Sequence, residues 1–191
     1  MAPMITQASL PPSLISLRQW VAWRSEERDG KPTKVPVNPH TGGPASVTDP
    51  KTWGTFEEAK RRGRDKVGFV FTGSDPFVAV DLDGCRNPDT GEVAAWAQEV
   101  ITALSSYTEI SPSGTGVHVL LKSALPGRGR KRALEHSRIS EKQPALEVYS
   151  QGRFFTITGQ HLDSTPSDAE DRQEALQVRI SAIMITWIAP S

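Results

Sequence analysis

The sequence predicts an α+β fold, a mostly antiparallel sheet with helices packed on one face. Three observations predict it. Short runs rich in Val, Phe, Trp and Ile recur with Gly, Pro and Asx turn signals between them, the mark of strands. Single helical stretches interrupt the strand pairs, as Val93, Trp96, Ala97, Val100 and Leu104 do at helical spacing. A length of 191 residues suits one domain of ordinary size with a real core.

Met1 to Pro12 reads as a mobile N-terminus. Gln19 to Arg24 reads as a strand, and Asp29-Gly30 as a tight turn into a returning strand from Lys34 to Val37. Asn38 to Pro50 is a Pro/Gly-rich loop. Thr55 and Glu58 have capping-box spacing and open a short helix that ends at Gly63. Val67 to Thr72 and Phe77 to Asp83 read as two strands, and Glu92 to Leu104 as an amphipathic helix. Two strands follow around the small-residue turn from Ser113 to Gly116. Pro126 to Gln143 reads as a long polar loop, basic in Arg128, Arg130, Lys131 and Arg132. Two more strands carry Glu147 and Arg153. Leu176, Ile180, Ile183, Met184, Trp187 and Ile188 form a helical stripe at the end.

Composition narrows the function. Lys and Arg number 22, and Asp and Glu number 22, so the formal net charge is zero. A chain-wide basic coat is excluded, and any nucleic-acid contact must use local patches. The single cysteine, Cys85, excludes an internal disulfide and a cysteine-rich zinc site, and fits a reducing cytoplasm. No charged lead followed by an apolar core opens the chain, so no signal peptide is expected. The longest apolar stretch, Ile180 to Ala189, is too short to span a bilayer, so no membrane partner is expected. A Walker-type Gly-x-x-x-x-Gly-Lys motif is missing, so the chain lacks its own motor for unwinding DNA, and a replicative helicase acting in trans or within a longer chain stays open.

The chemistry begins at Phe77-Val78-Ala79-Val80-Asp81-Leu82-Asp83. Side chains on a strand repeat every two residues, so Asp81 and Asp83 share a face. Two carboxylates there repel unless a cation lies between them, and hard oxygen donors suit Mg²⁺ or Mn²⁺. The same pattern also describes a strand running out into an acidic turn. In Ser111 to Leu121, Gly114 and Gly116 let backbone N–H groups approach an anion, and Ser113 adds a hydroxyl. His118, near the start of the next strand, can hydrogen-bond a phosphate. Glu147 sits between apolar neighbours, and Arg153 on the following strand offers a planar donor fork to phosphate.

Taken in order, Asp81-Leu82-Asp83, Gly116-Val117-His118 and Leu146-Glu147-Val148 resemble the three motifs of the archaeo-eukaryotic primase superfamily. The phrases Lys31-Pro32-Thr33-Lys34-Val35-Pro36, Thr52-Trp53-Gly54-Thr55-Phe56 and Gly152-Arg153-Phe154-Phe155-Thr156 look like its bifunctional primase-polymerase branch, found in phages, plasmids and mobile elements. The resemblance spans Trp20 to Gly159. It implies a catalytic core like an RNA-recognition (RRM-like) fold, about residues 66–165, beside a smaller N-terminal α/β unit, about residues 13–65. Residues 166–191 would then be a C-terminal helix.

The resemblance also implies roles. Asp81, Asp83 and Glu147 would hold two divalent ions, Mg²⁺ or Mn²⁺. Ser113, Gly114, His118, Arg153 and Lys34 would contact the triphosphate of an NTP or dNTP. Arg128, Arg130, Lys131 and Arg132 would track a single-stranded DNA template and primer. Two other readings stay open: an inactive module that grips single-stranded DNA, and a metal-dependent phosphodiesterase on the same ligands.

Overall fold

The computed structural model describes residues 4–125, 129–136 and 138–178. In chain order the principal elements are α1 (Pro12–Ile15), β1 (Trp20–Arg28), β2 (Lys31–Val37), α2 (Phe56–Gly63), β3 (Val67–Phe71) and β4 (Phe77–Asp83). Then follow α3 (Ala95–Leu104), β5 (Tyr107–Ile110), β6 (Val117–Lys122), β7 (Gly129–Ala133), β8 (Ala145–Tyr149), β9 (Arg153–Ile157) and β10 (Glu170–Asp171). A further helical turn covers residues 173–178. The mixture of strands and helices is the expected α+β fold, organised as two sheets.

The four-stranded sheet runs β2-β1-β3-β9, antiparallel throughout. Its hairpin turns at Asp29 and Gly30, with φ of 52° and 71°, the conformation a two-residue primed turn requires. Pro32 and Pro36 cannot donate to a ladder, which suits β2 to the sheet edge. The fourth strand, β9, comes from the far end of the chain, so this sheet is not built from the N-terminal segment alone. The second sheet runs β10-β6-β4-β8-β7, with β5 also paired to β6. It is antiparallel except for the short parallel pairing of β10 with β6.

Alternation along β4 divides the protein. Phe77 and Ala79 point toward the four-stranded sheet, joining Trp20, Val67, Phe69, Phe71, Phe155 and Ile157 in one buried core. Phe69 packs edge-on against Trp20 at 5.3 Å and Phe77 at 6.0 Å between ring centroids, tying the sheets together. Val78, Val80 and Leu82 point the other way and pack with Ala97, Val100, Ile101 and Leu104 of α3. The N-terminal residues expected to be mobile are part of this packing. Ile5 and Leu10 are buried in the inter-sheet core.

Local signals hold for α2. The Thr55 hydroxyl accepts the Glu58 N–H at 3.3 Å, and the Glu58 carboxylate accepts the Thr55 N–H at 2.8 Å. Helix α3 starts three residues later than its periodicity suggests, because Val93 pairs with Arg86 as an isolated β-bridge. The basic segment expected to be a loop contains a strand, β7, bonded to β8. An edge strand pairs on one side and faces water on its other edge, so it needs no apolar alternation, and charges there discourage aggregation. Arg128 and the apolar stripe from Ile180 to Ile188 lie outside the described residues.

Phe69→Ala is expected to lower stability by about 3–5 kcal/mol, the range for emptying a fully buried aromatic site. Denaturant unfolding measures it, and a loss under 1 kcal/mol would mean the sheets are held chiefly by other contacts.

Candidate active site

Strand register assembles the site. Asp81 of β4 lies opposite His118 of β6 on one side and Glu147 of β8 on the other. Glu109 of β5 lies opposite His118, and Lys131 of β7 lies opposite Glu147. Glu109, His118, Asp81, Glu147 and Lys131 therefore form one transverse row across five neighbouring strands, on one face. Asp83 lies two residues along β4 and shares that face. The same face carries Phe77 and Ala79 into the inter-sheet core, so the row stands at the end of that core, where Asp81 and Asp83 are partly exposed.

Burial sets the electrostatics. Asp81 Oδ1 is shut off from solvent and accepts no hydrogen bond. His118 Nε2 stands 3.9 Å from it, beyond hydrogen-bond reach. Burial pushes the Asp81 carboxyl above its ordinary range; the charges of Asp83 and Glu147 add to this, and His118 and Lys142 oppose it. Asp83 accepts a hydrogen bond from Lys142 Nζ at 3.0 Å. Glu147 accepts one from Lys131 Nζ, and that carboxylate raises the Lys131 ammonium pKa. Lys34 shares the same field. Burial lowers its pKa, the Lys142 charge adds to this, and Asp81 and Asp83 counter it. Its Nζ donates to Thr156 Oγ1 at 3.4 Å and lies 5.4 Å from the centre of the Trp23 ring.

Among the described residues, no three His, Cys, Asp or Glu side chains are drawn together tightly enough to hold a metal ion. Lysine ammoniums stand against Glu147 and Asp83 instead. The donor chemistry nevertheless fits a hard divalent cation. Three carboxylates share one face, and the central one keeps a buried oxygen with no partner, the feature a cation would satisfy.

Glu109 and Lys142 were not singled out in the sequence. Glu109 is fully buried, and Lys142 is exposed beside Asp83. A glutamate two residues after Tyr107 on a short strand shares that residue's inward face, which is the signal available for Glu109. Lys142 lies in irregular chain, where periodicity carries no information.

The remaining candidates spread around the row. Ser113 bonds Ser111 and Thr115 through side-chain hydroxyls at 3.1 and 2.8 Å. Gly114 has φ of 74°, and its carbonyl accepts from Arg86 at 2.9 Å. This loop crosses the end of β4 closely, because a Cβ on Gly116 would lie 2.5 Å from the Leu82 carbonyl oxygen. Arg153 is not in the row. It starts β9 in the other sheet, and its guanidinium lies 4.4 Å from the centre of the Tyr149 ring. Arg153, Tyr149, Arg130, Lys131 and Trp53 line a groove of about 760 Å³, which Lys131 connects to the row. Arg132, next on β7, is half-buried.

Asp81 has a pH signature. A carboxyl with its folded pKa above the unfolded one favours folding when protonated, so stability falls as pH rises from the ordinary carboxylate range through the raised value. In EDTA, Asp81→Asn is expected to melt on the order of 2–4 °C above wild type at neutral pH. That advantage should vanish in acid. Thermal melts across pH test it, and a variant that melts lower at neutral pH contradicts the assignment.

No family model matches the chain. Over 164 residues it is 42% identical to the DNA primase-polymerase of Nitratiruptor phage NrS-1. The match covers 84% of this chain and 22% of that protein, so the chain spans less than a quarter of the length of this relative. Among the described residues, no helix is long and apolar enough to cross a membrane. With that identity over most of its length, the chain is similar to a part of a phage-type primase-polymerase.

Proposed function

We propose that this chain is a template-directed nucleotidyltransferase that adds nucleotides to a primer on single-stranded DNA. One observation carries the reading. Asp81 and Glu147 face each other across neighbouring strands, Asp83 shares their face, and the buried Asp81 oxygen lacks a partner. Three carboxylates converging on one face have no use in a protein that only grips phosphates, which argues against the inactive DNA-binding alternative. Asp81, Asp83 and Glu147 would hold divalent ions, which would supply activation of an attacking 3′-hydroxyl and neutralise the charge of a leaving pyrophosphate.

Each residue then has a part. Asp81, Asp83 and Glu147 are the ligands. His118 Nε2 faces Asp81 and meets the triphosphate. Lys131 and Lys142, which pair with Glu147 and Asp83, are free to turn to phosphate oxygens once those carboxylates have another cation. Lys34 brings a further positive charge from the other sheet. Ser113 and Gly114 stand at the end of β4 as a second source of donors. The groove with Trp53, Tyr149, Arg130 and Arg153 suits single-stranded template: guanidinium groups for the backbone and rings for the bases.

Primer extension on single-stranded template, with ribo- and deoxynucleotides and with Mg²⁺ or Mn²⁺, tests the reading. Asp81→Ala, Asp83→Ala and Glu147→Ala should each reduce extension by at least about a hundredfold, as loss of several kcal/mol of charge stabilisation implies. Wild-type extension by the Asp81/Asp83 double variant would sink the reading. Degradation of a labelled strand in Mn²⁺ without nucleotides would replace it with a phosphodiesterase.

For the groove, each lost phosphate contact should lower the log–log salt slope of single-strand binding by about 0.7. Arg130→Ser and Arg153→Ser should each do so, and an unchanged slope in both removes the groove from the template path.

A further inference from the structure

Glu109 has an environment that surface glutamates never have. It is fully buried, and donors from three elements converge on it. Oε1 accepts from His118 Nδ1 at 3.2 Å and from the Thr158 N–H at 3.0 Å. Oε2 accepts from the Tyr107 hydroxyl at 3.1 Å and from the Gly159 N–H at 2.9 Å. Tyr107 is on its own strand, His118 is on β6, and Thr158 and Gly159 follow β9 of the other sheet. The Thr158 and Gly159 N–H groups can only donate, one to each oxygen, while the Tyr107 hydroxyl divides its single proton between Glu109 and the Ser9 carbonyl, 2.9 Å away. A carboxylate meets that demand and an amide cannot, because its NH₂ would face one of those N–H groups.

His118 is held just as closely. It is nearly fully buried, and the Phe155 ring packs on it at 4.1 Å between centroids. A carboxylate only accepts, so the bond to Glu109 puts a proton on Nδ1. Turning the ring over would leave Glu109 short of a donor and set a C–H against it. Nε2 is consequently fixed toward Asp81, 3.9 Å from its Oδ1.

We propose that Glu109 is a positioning residue: it fixes the tautomer and orientation of His118 so that Nε2 meets the triphosphate of the incoming nucleotide. This rests on the nucleotidyltransferase reading for what Nε2 touches; the grip of Glu109 on Nδ1 does not depend on it. Because Glu109 also holds the backbone after β9, the ring is set relative to both sheets. Partners of this kind behind a functional histidine are worth about ten- to a hundredfold in activity where they orient a ligand.

The test has two parts. In the wild-type chain labelled with ¹⁵N-histidine, at alkaline pH where histidine rings are neutral, His118 should carry its proton on Nδ1. The signal is assigned by its loss in His118→Gln. A neutral ring protonated on Nε2 overturns the proposal whether or not any variant folds. In Glu109→Gln, whose amide can turn either its oxygen or its NH₂ to the ring, the Nδ1 proton should no longer be exclusive and a signal protonated on Nε2 should appear, and the nucleotide KM should rise about tenfold with single-stranded DNA affinity retained. Glu109→Asp, which keeps an acceptor-only group, should retain the Nδ1 proton and recover part of the KM. A Glu109→Gln variant with wild-type ring signals and wild-type KM also overturns it. If His118→Ala leaves nucleotide KM and kcat unchanged while the Nδ1 proton is seen in wild type, the nucleotide role of His118 falls and the grip of Glu109 stands.

Discussion

Alternation along β4 separates Val78, Val80 and Leu82, which pack on α3, from Phe77, Ala79, Asp81 and Asp83 on the other face, and the register of β4 against β6 and β8 keeps those faces apart. A slip of one residue would drive both aspartates into the α3 core and turn three apolar side chains onto the other face. Burying an unpaired charge costs several kcal/mol, so the core specifies the register strongly. The register in turn specifies the row, because Asp81 meets His118 and Glu147 only in this pairing. The site is thus a by-product of hydrophobic packing on the opposite side of the same strand.

Placing carboxylates at the edge of a core requires compensation, and the fold supplies it unevenly. Lys131 stands against Glu147, Lys142 against Asp83, and Glu109 has four donors of its own. Asp81 Oδ1 has none. A buried acceptor left unsatisfied costs about 1–3 kcal/mol, and the neighbouring carboxylates raise that cost. Natural sequences break the rule of satisfied polar groups chiefly at functional sites. The unsatisfied oxygen lies at the centre of the row, between the charges best placed to share a cation with it.

Much of this was legible in the sequence where a residue's neighbours define its face. Phe77 to Asp83 is read as a strand with the same bounds the structure gives it, because apolar residues lead directly into the acidic pair. The hairpin at Asp29-Gly30 and the cap at Thr55 are equally local signals. What depends on pairing between distant strands was not legible. Glu109 is an ordinary glutamate until β5 is laid on β6, which puts it opposite His118. Arg153 follows Glu147 by only a few residues yet belongs to the other sheet, since β8 and β9 diverge to cover opposite sides of the core. β7 escaped because an edge strand of charged residues has no apolar alternation to betray it.

The groove and the carboxylate row are electrically distinct and meet at Lys131, and under the nucleotidyltransferase reading their arrangement limits how a nucleic acid would reach the carboxylates. Asp81, Asp83 and Glu147 would repel phosphates, so on that reading a strand would enter where positive charge leads. Arg130 and Arg153 provide that charge in the groove, which Trp53 and Tyr149 also line. Lys131 belongs to both parts, lining the groove while its ammonium holds Glu147. One ammonium cannot fully satisfy a carboxylate and a phosphate at the same time. A strand that draws Lys131 toward the groove therefore increases the unbalanced negative charge on the row. Under the nucleotidyltransferase reading, that makes filling of the groove and the demand for a cation at the carboxylates parts of one electrostatic balance.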